Sequence, residues 1–192
     1  LFSDQHISAI KRGSQGAFRA LVEEYQNRVY NTCLGILQNE VEAEEIAQDV
    51  FVEVHRSIEK FRGDSKLSTW IYRIATTKSL ELIRKNKRQK RFAFMQSLSG
   101  KKEEKSIDPA VFEHPGILME QKENAAALFK AIAQLPESQK VAFTLHKLEG
   151  LPYQEISEIM GTSISSVESM MFRARKNLQT SLKNFYQNNF KD

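Results

Sequence analysis

The sequence predicts an all-α protein of two small helical domains, and three observations carry that prediction. Long segments repeat their apolar residues at three- and four-residue spacing, the period of a helix with one buried face. Only four Pro and eight Gly punctuate the 192 residues, so the tight turns that paired strands need are scarce. Between the two periodic halves the pattern fades into Ser97, Ser99, Gly100, the run Lys101-Lys102-Glu103-Glu104-Lys105, Asp108-Pro109 and His114-Pro115-Gly116, which reads as a flexible linker. The expected division is therefore a first domain at 1–91, a linker at 92–122 and a second domain at 123–192.

The first domain opens with a short helix through Ile7 and Ile10 that stops near Lys11-Arg12-Gly13. After Gly16 the clearest helix of the chain follows, with Phe18, Leu21, Val22, Tyr25, Val29, Cys33 and Leu37 on one face. From Asn39 to Lys60 a second long helix turns Ala43, Ile46, Ala47, Val50, Val54 and Ile58 inward and packs antiparallel to the first. Its other face is acidic: Glu42, Glu44, Glu45, Asp49, Glu53 and Glu59 outnumber Arg56 and Lys60. Simple solvation with acids complementing the helix N-terminus is one reading of that face, and a docking surface for a basic partner is the other.

Phe61 to Lys66 is a polar turn around Gly63 and Asp64. The helix after it buries Leu67, Trp70, Ile71, Ile74 and Leu82 and carries Tyr72, Arg73, Thr77, Lys78, Glu81 and Arg84 on or beside its polar remainder. It then meets Arg84, Lys85, Lys87, Arg88, Lys90 and Arg91 without an acid among them, a phosphate-seeking end. A polar turn beside aromatics, followed by a mixed basic helix, suits nucleic acid with partly unstacked bases. Trp70 is read as core; Phe61 is open between core residue and base platform, and the basic run between DNA contact and a solvated helix end.

In the second domain Leu128, Ile132 and Leu135 mark a helix stopped by Pro136, and Val141, Leu145 and Leu148 mark another stopped by Glu149-Gly150. Pro152-Tyr153 opens a short helix with Ile156, Ile159 and Met160 inward, and Gly161-Thr162-Ser163 turns the chain. Ser165 and Glu168 have capping-box spacing for the helix that follows, whose buried stripe is Val167, Met171, Ala174 and Leu178. That leaves Ser166, Ser169, Phe172, Arg173 and Lys176 outward. Two helices joined by a Gly-containing turn, the second polar at its start and basic further on, make a helix-turn-helix suited to a major groove. Arg173 could pair with guanine; Glu168 could accept from a cytosine amine, close the cap, or do both.

Composition narrows the chemistry. A 41% hydrophobic content supports folded cores, and the net charge of +4 is unevenly placed: 1–91 carries 16 basic against 12 acidic side chains, while 123–192 carries 8 against 7. Cys33 is the single cysteine, which rules out an intrachain disulfide and a cysteine-based zinc cluster and fits a reducing cytoplasm. His6, His55, His114 and His146 stand at no ligand spacing, so no metal site is expected. There is no glycine-rich phosphate loop, no nucleophile motif and no apolar run of membrane-spanning length, so no cofactor, no catalytic residue and no membrane insertion are expected. The opening LFSDQHISAI is short and polar, unlike a secretory signal, and its lack of an initiator Met suggests trimming.

The stretch Glu42-Ala43-Glu44-Glu45-Ile46-Ala47-Gln48-Asp49-Val50-Phe51, then Phe61-Arg62-Gly63-Asp64-Ser65 and Thr69-Trp70-Ile71-Tyr72-Arg73-Ile74-Ala75, resembles region 2 of the extracytoplasmic-function (ECF) sigma factors. LPESQKVAFTLHKLEGLPYQEISEIMGTSISSVESMMFRARKNL is similar to their region 4. The resemblance covers about residues 5 to 185, with the linker its weak part. It implies a sigma region 2-like bundle and a sigma region 4-like helix-turn-helix in a cytoplasmic, nucleoid-associated bacterial subunit. That subunit would bind core RNA polymerase (β′ and β) and direct promoter recognition, melting and initiation. Glu45, Gln48, Asp49 and Glu53 would dock the β′ coiled coil.

By the same resemblance, Phe61, Arg62, Gly63, Asp64, Ser65 and Lys66 would receive a flipped base of the melted nontemplate strand, and Tyr72, Arg73, Thr77, Lys78, Glu81, Arg84 and Lys85 would read and hold the minus-ten element. Ser165, Ser166, Glu168, Ser169, Phe172, Arg173 and Lys176 would read duplex DNA at minus thirty-five. Thr77 and Glu81 stand where many members carry Asn and Asp, which changes the hydrogen-bonding groups offered to the first melted bases. Such factors are often held by an anti-sigma partner, to which no residue here points, and their linker threads the polymerase cleft. A ligand-sensing or dimerising helix-turn-helix regulator is the alternative; it would bind palindromic duplex sites without polymerase, and the acidic face and the turn argue against it. A nucleic-acid enzyme is disfavoured for want of a nucleophile or metal motif.

Overall fold

The computed structural model describes residues 4–98 and 119–189, and among them every regular element is helical. In chain order these are α1 (Asp4–Lys11), α2 (Gln15–Leu37), α3 (Glu40–Ser57) with a 3-10 turn at Ile58–Lys60, α4 (Leu67–Leu98), α5 (Met119–Ala133), α6 (Glu137–Lys147), α7 (Tyr153–Met160) and α8 (Ile164–Asn189). Of the linker expected at 92–122, residues 99–118 lie outside the described residues and 119–122 belong to α5. The helix before it, however, runs beyond Arg91 to Leu98, with Phe92 and Met95 exposed on its last turns. Fading periodicity marked the end of the buried face there, and the helix outlasts its burial.

Local chemistry sets the ends of the long helices. Ser14 caps α2, its hydroxyl accepting from the Ala17 amide at 3.3 Å. At the other end Gln38 takes a left-handed conformation, φ 58°; its backbone amide donates to the Leu34 carbonyl at 2.8 Å and its side-chain amide to the Gly35 carbonyl at 2.7 Å. Asn39 follows at once as the cap of α3, its side chain accepting from the Glu42 amide at 3.0 Å. Two residues thus reverse the chain and align α2 with α3 as an antiparallel pair.

Leu21, Val29, Cys33, Ala43, Val50, Val54, Ile71 and Ala75 fill the space between α2, α3 and α4 without solvent exposure. Burial pushes the Cys33 thiol up to about 11, as expected of a small core residue that is not a nucleophile. Lys11 donates to the Phe61 carbonyl and so ties α1 to the start of the turn before α4.

The second core joins Val141, Ala142, Leu145, Leu151, Ile156, Ile159, Val167 and Met171, while Ala131, Ile132 and Leu135 pack on Ala174 and Leu178 of α8. Gly161, φ 62°, makes the turn between α7 and α8 in a backbone region that β-carbons disfavour. Two expectations change. Leu128 and Leu148, placed inward by spacing, are partly exposed. Tyr72, placed on the polar remainder of α4, is fully buried, because it lies under the second module together with Ile36, Val141 and Leu145.

Candidate nucleic-acid interface

Three surfaces carry the predicted site residues. On α3, Glu45, Gln48 and Asp49 are exposed on the face opposite Ile46, Ala47 and Val50, and Glu53 is half-buried. Glu53 also lines a groove between α3 and α4 with Arg73, Ile74, Thr77, Lys78 and Glu81. One acid of α3, Glu53, and the outer face of α4 therefore share a concavity, which spacing within either helix does not reveal. Further along α4, Arg84, Lys85, Arg88, Lys90 and Arg91 are exposed, a string of cations on one rigid rod.

Before α4, Arg62, Gly63, Asp64 and Lys66 are exposed, Ser65 is half-buried, and Gly63 has φ 81°. Phe61 is buried, its ring 5.3 Å from that of Trp70. It supports the turn from beneath, so the exposed polar residues of the turn stand above an aromatic floor and the Phe61 ring itself is not presented.

On α8, Ser165, Glu168, Ser169, Phe172, Arg173 and Lys176 project outward and Ser166 is half-buried. Phe172 is 70% exposed, an unusual state for so large an apolar side chain in a packed helical module. Ser165, Ser166, Ser169 and Arg173 line a groove against Ser138 and Gln139 of α6, so the start of α6 flanks the presented face.

The capping-box reading shifts by two residues. The hydroxyl of Ser163, not Ser165, accepts from the Ser166 amide at 3.2 Å, and it also hydrogen-bonds the hydroxyls of Ser165 and Ser166. With Ser163 as the cap, Glu168 is left exposed beyond the first turn. Ser163→Ala is expected to cost about 1 kcal/mol of second-module stability, whereas Ser165→Ala changes little; comparison of the two thermal melts checks it.

Sequence reasoning missed a set of residues that act across the modules. The Glu149 side chain, 4% exposed, accepts from the Tyr72 hydroxyl at 2.7 Å and pairs with Arg28 Nε at 3.2 Å. Burial raises the Tyr72 phenol well above its ordinary range, and the bond to Glu149 adds to it. Lys66 pairs with Glu155, Arg73 donates to the Glu158 carbonyl at 2.6 Å, and Lys87 pairs with Glu137. No local pattern marks these partners, since they are 50 to 121 residues apart in the chain.

Among the described residues no helix is long and apolar enough to cross a membrane, and no cluster of His, Cys, Asp and Glu could hold a metal ion. An acidic helix face beside a mixed basic helix, followed by a helix-turn-helix, defines the class of two-module DNA-binding transcription factors. Comparison with known proteins specifies it further. Residues 21–89 match the family model for sigma-70 region 2, and 125–178 that for sigma-70 region 4. The RNA polymerase sigma-H factor of Pseudomonas aeruginosa is 32% identical over 183 residues, spanning 93% of this chain and 92% of that protein. The ECF RNA polymerase sigma-E factor of Escherichia coli is 30% identical over 170 residues, 88% of each chain.

Among solved structures, CnrH in complex with the cytosolic domain of CnrY superposes with a TM-score of 0.67 at 19% identity, covering 93% of this chain and 96% of that one. The sigma factor RpoE of Bartonella quintana, bound to the anti-sigma factor NepR, does so at 0.65 and 22%, covering 86% and 96%. At those identities the likeness concerns the fold. The chain belongs to the sigma-70 family, among its ECF sigma factors. Members of that group bind RNA polymerase and direct promoter-specific initiation, and sigma factors act in it by binding rather than by catalysis.

Proposed function

We propose that this sigma factor divides its work among the three surfaces as follows. The exposed carboxylates Glu45 and Asp49, with Gln48 and Glu53, dock core polymerase. Arg62 to Lys66 and the outer face of α4 from Arg73 through Thr77, Lys78 and Glu81 to Arg84 and Lys85 take the melted minus-ten strand. The start of α8, from Ser165 to Lys176, enters duplex DNA at minus thirty-five. The segment between the modules tethers the two. An anti-sigma partner, of the kind bound by the Bartonella quintana protein, belongs to the same reading, as does residence in the bacterial cytoplasm at the nucleoid.

The observation that carries this division is the segregation of charge on one rigid bundle. The exposed acids of α3 and the cations of α4 are presented on different helices, and Glu53 of α3 meets Arg73 and Lys78 of α4 in one groove. Flipping a base costs a few kcal/mol, and contacts to polymerase together with stacking must offset it. The isolated chain therefore binds promoter DNA poorly and forms open complexes only with core enzyme. Run-off transcription with core polymerase on a randomised promoter library tests this, since selection of two spaced elements is expected; melting by the isolated chain, or selection of a palindrome, would contradict it.

In the same assay Arg173→Ala is expected to cost about 1–3 kcal/mol and relax the base preference at one position of the upstream element. Lys176→Ala should weaken all sequences alike and lower the salt slope by about one.

A further inference from the structure

Glu168 is the single acidic residue of α8, and it stands in the stretch of that helix that the proposed function sends into duplex DNA. A carboxylate is out of place on a surface that must approach two rows of phosphates, where Arg173 and Lys176 are the expected chemistry. The fold itself makes no use of it. Ser163 closes the start of the helix, so Glu168 is not needed as a capping group. Its side chain is exposed, with no ion pair or hydrogen bond among the described residues.

The surroundings of that carboxylate are specific. Around the outward face Phe172 and Ser169 lie between Glu168 and Arg173, and the four side chains line one shallow depression. Phe172 is 70% exposed, so a large apolar ring with no place in the core stands one helical turn from the acid. Arg173 also has no partner among the described residues. Both charges are therefore left for groups outside the chain.

Major-groove chemistry decides what meets the acid. An ionised carboxylate can only accept, and the donors that base edges offer there are the N4 amine of cytosine and the N6 amine of adenine. Adenine sets its N7 lone pair beside that amine, which a second carboxylate oxygen repels. Guanine and thymine present acceptor oxygens at the same place. Once DNA covers the depression, Phe172 excludes the water that would otherwise solvate the carboxylate, so an acceptor opposite Glu168 leaves a charge buried and unpaired.

We propose that Glu168 selects cytosine at one position of the upstream element, chiefly by rejecting bases that present an acceptor there, with Phe172 as the ring that makes rejection costly. The inference rests on the assignment of α8 to duplex DNA at minus thirty-five. It makes this acid a device that raises discrimination while lowering affinity for DNA in general.

Run-off selection with core polymerase and the full-length chain, on templates randomised across the upstream element, tests it. The parent is expected to enrich cytosine at one position besides the guanine assigned to Arg173. Glu168→Ala should lower that cytosine preference by about tenfold and raise initiation from the other sequences, since the repulsion is gone. Glu168→Gln should admit adenine at the same position, because an amide accepts from N6 while donating to N7. Base preferences are ratios within one preparation, so a partly unfolded variant does not mimic these changes.

A parent that selects an upstream element without that cytosine, or a cytosine preference that survives Glu168→Ala, overturns the proposal. A parent that selects no upstream element at all shows instead that the assignment of α8 to duplex DNA has failed, so the two failures are distinguishable.

Discussion

Glu45→Lys combined with Asp49→Lys is expected to abolish association with core polymerase while leaving the protein folded. Both side chains are exposed on α3 and make no ion pair among the described residues, so their replacement should move stability by no more than about 0.5 kcal/mol. At an interface with a basic surface the same change removes two attractions and creates two repulsions, and like charges brought together cost several kcal/mol. Affinity should fall by about a hundredfold or more at low salt, and the gap between parent and variant should narrow as ionic strength rises, because attraction and repulsion are screened alike. Co-purification and a thermal melt on the same preparation settle the matter: a folded double variant that still binds core enzyme and supports initiation undiminished removes α3 as the docking face.

The second large effect concerns Leu145. It is fully buried in α6 among Val141, Ile156, Val167 and Met171, the residues that fix α7 and α8 against each other. Leu145→Ala leaves a cavity there and is expected to cost about 2–5 kcal/mol, a large part of the ~5–15 kcal/mol that holds a domain together. Because Ile36 and Tyr72 belong to the same apolar cluster, the loss should also loosen the packing between the modules. Hydrogen exchange is expected to show early loss of protection in α6 to α8 with α2 and α3 still protected. Uniform protection in both modules would show that the cluster is not the unit that holds the helix-turn-helix.

Much of this architecture was legible in the residues themselves. Phe18, Leu21, Tyr25, Val29 and Cys33 announce α2 because a helix buries one side chain in three or four, and the first core is made of such residues. The acidic face of α3 and the outward set on α8 follow from the same periodicity, since what is not inward must be presented. Tyr72 is where this reasoning stops. Its place on the helix wheel is marginal, and only a surface supplied from 77 residues away along the chain buries it.

Leu128 and Leu148 err in the opposite sense: spacing set them inward, but neither sits squarely under a neighbouring helix. The shift from Ser165 to Ser163 has a simpler origin, because a run of serines offers several caps and backbone geometry chooses among them. Arg28 carried no signal, and Glu149 only that of a helix stop, as each acquires its partner only from the other module.

If α8 enters the upstream element as proposed, its mounting bears on which promoters this protein accepts. Its 26 residues extend about 39 Å, and the outward set from Ser165 to Lys176 lies opposite a stripe that is held along its length, Val167 and Met171 by the core shared with α6 and α7, Ala174 and Leu178 by α5. The outward face therefore shifts only together with the helices that grip it, and the spacer lengths tolerated between two promoter elements would depend on that buried stripe, at positions turned away from DNA.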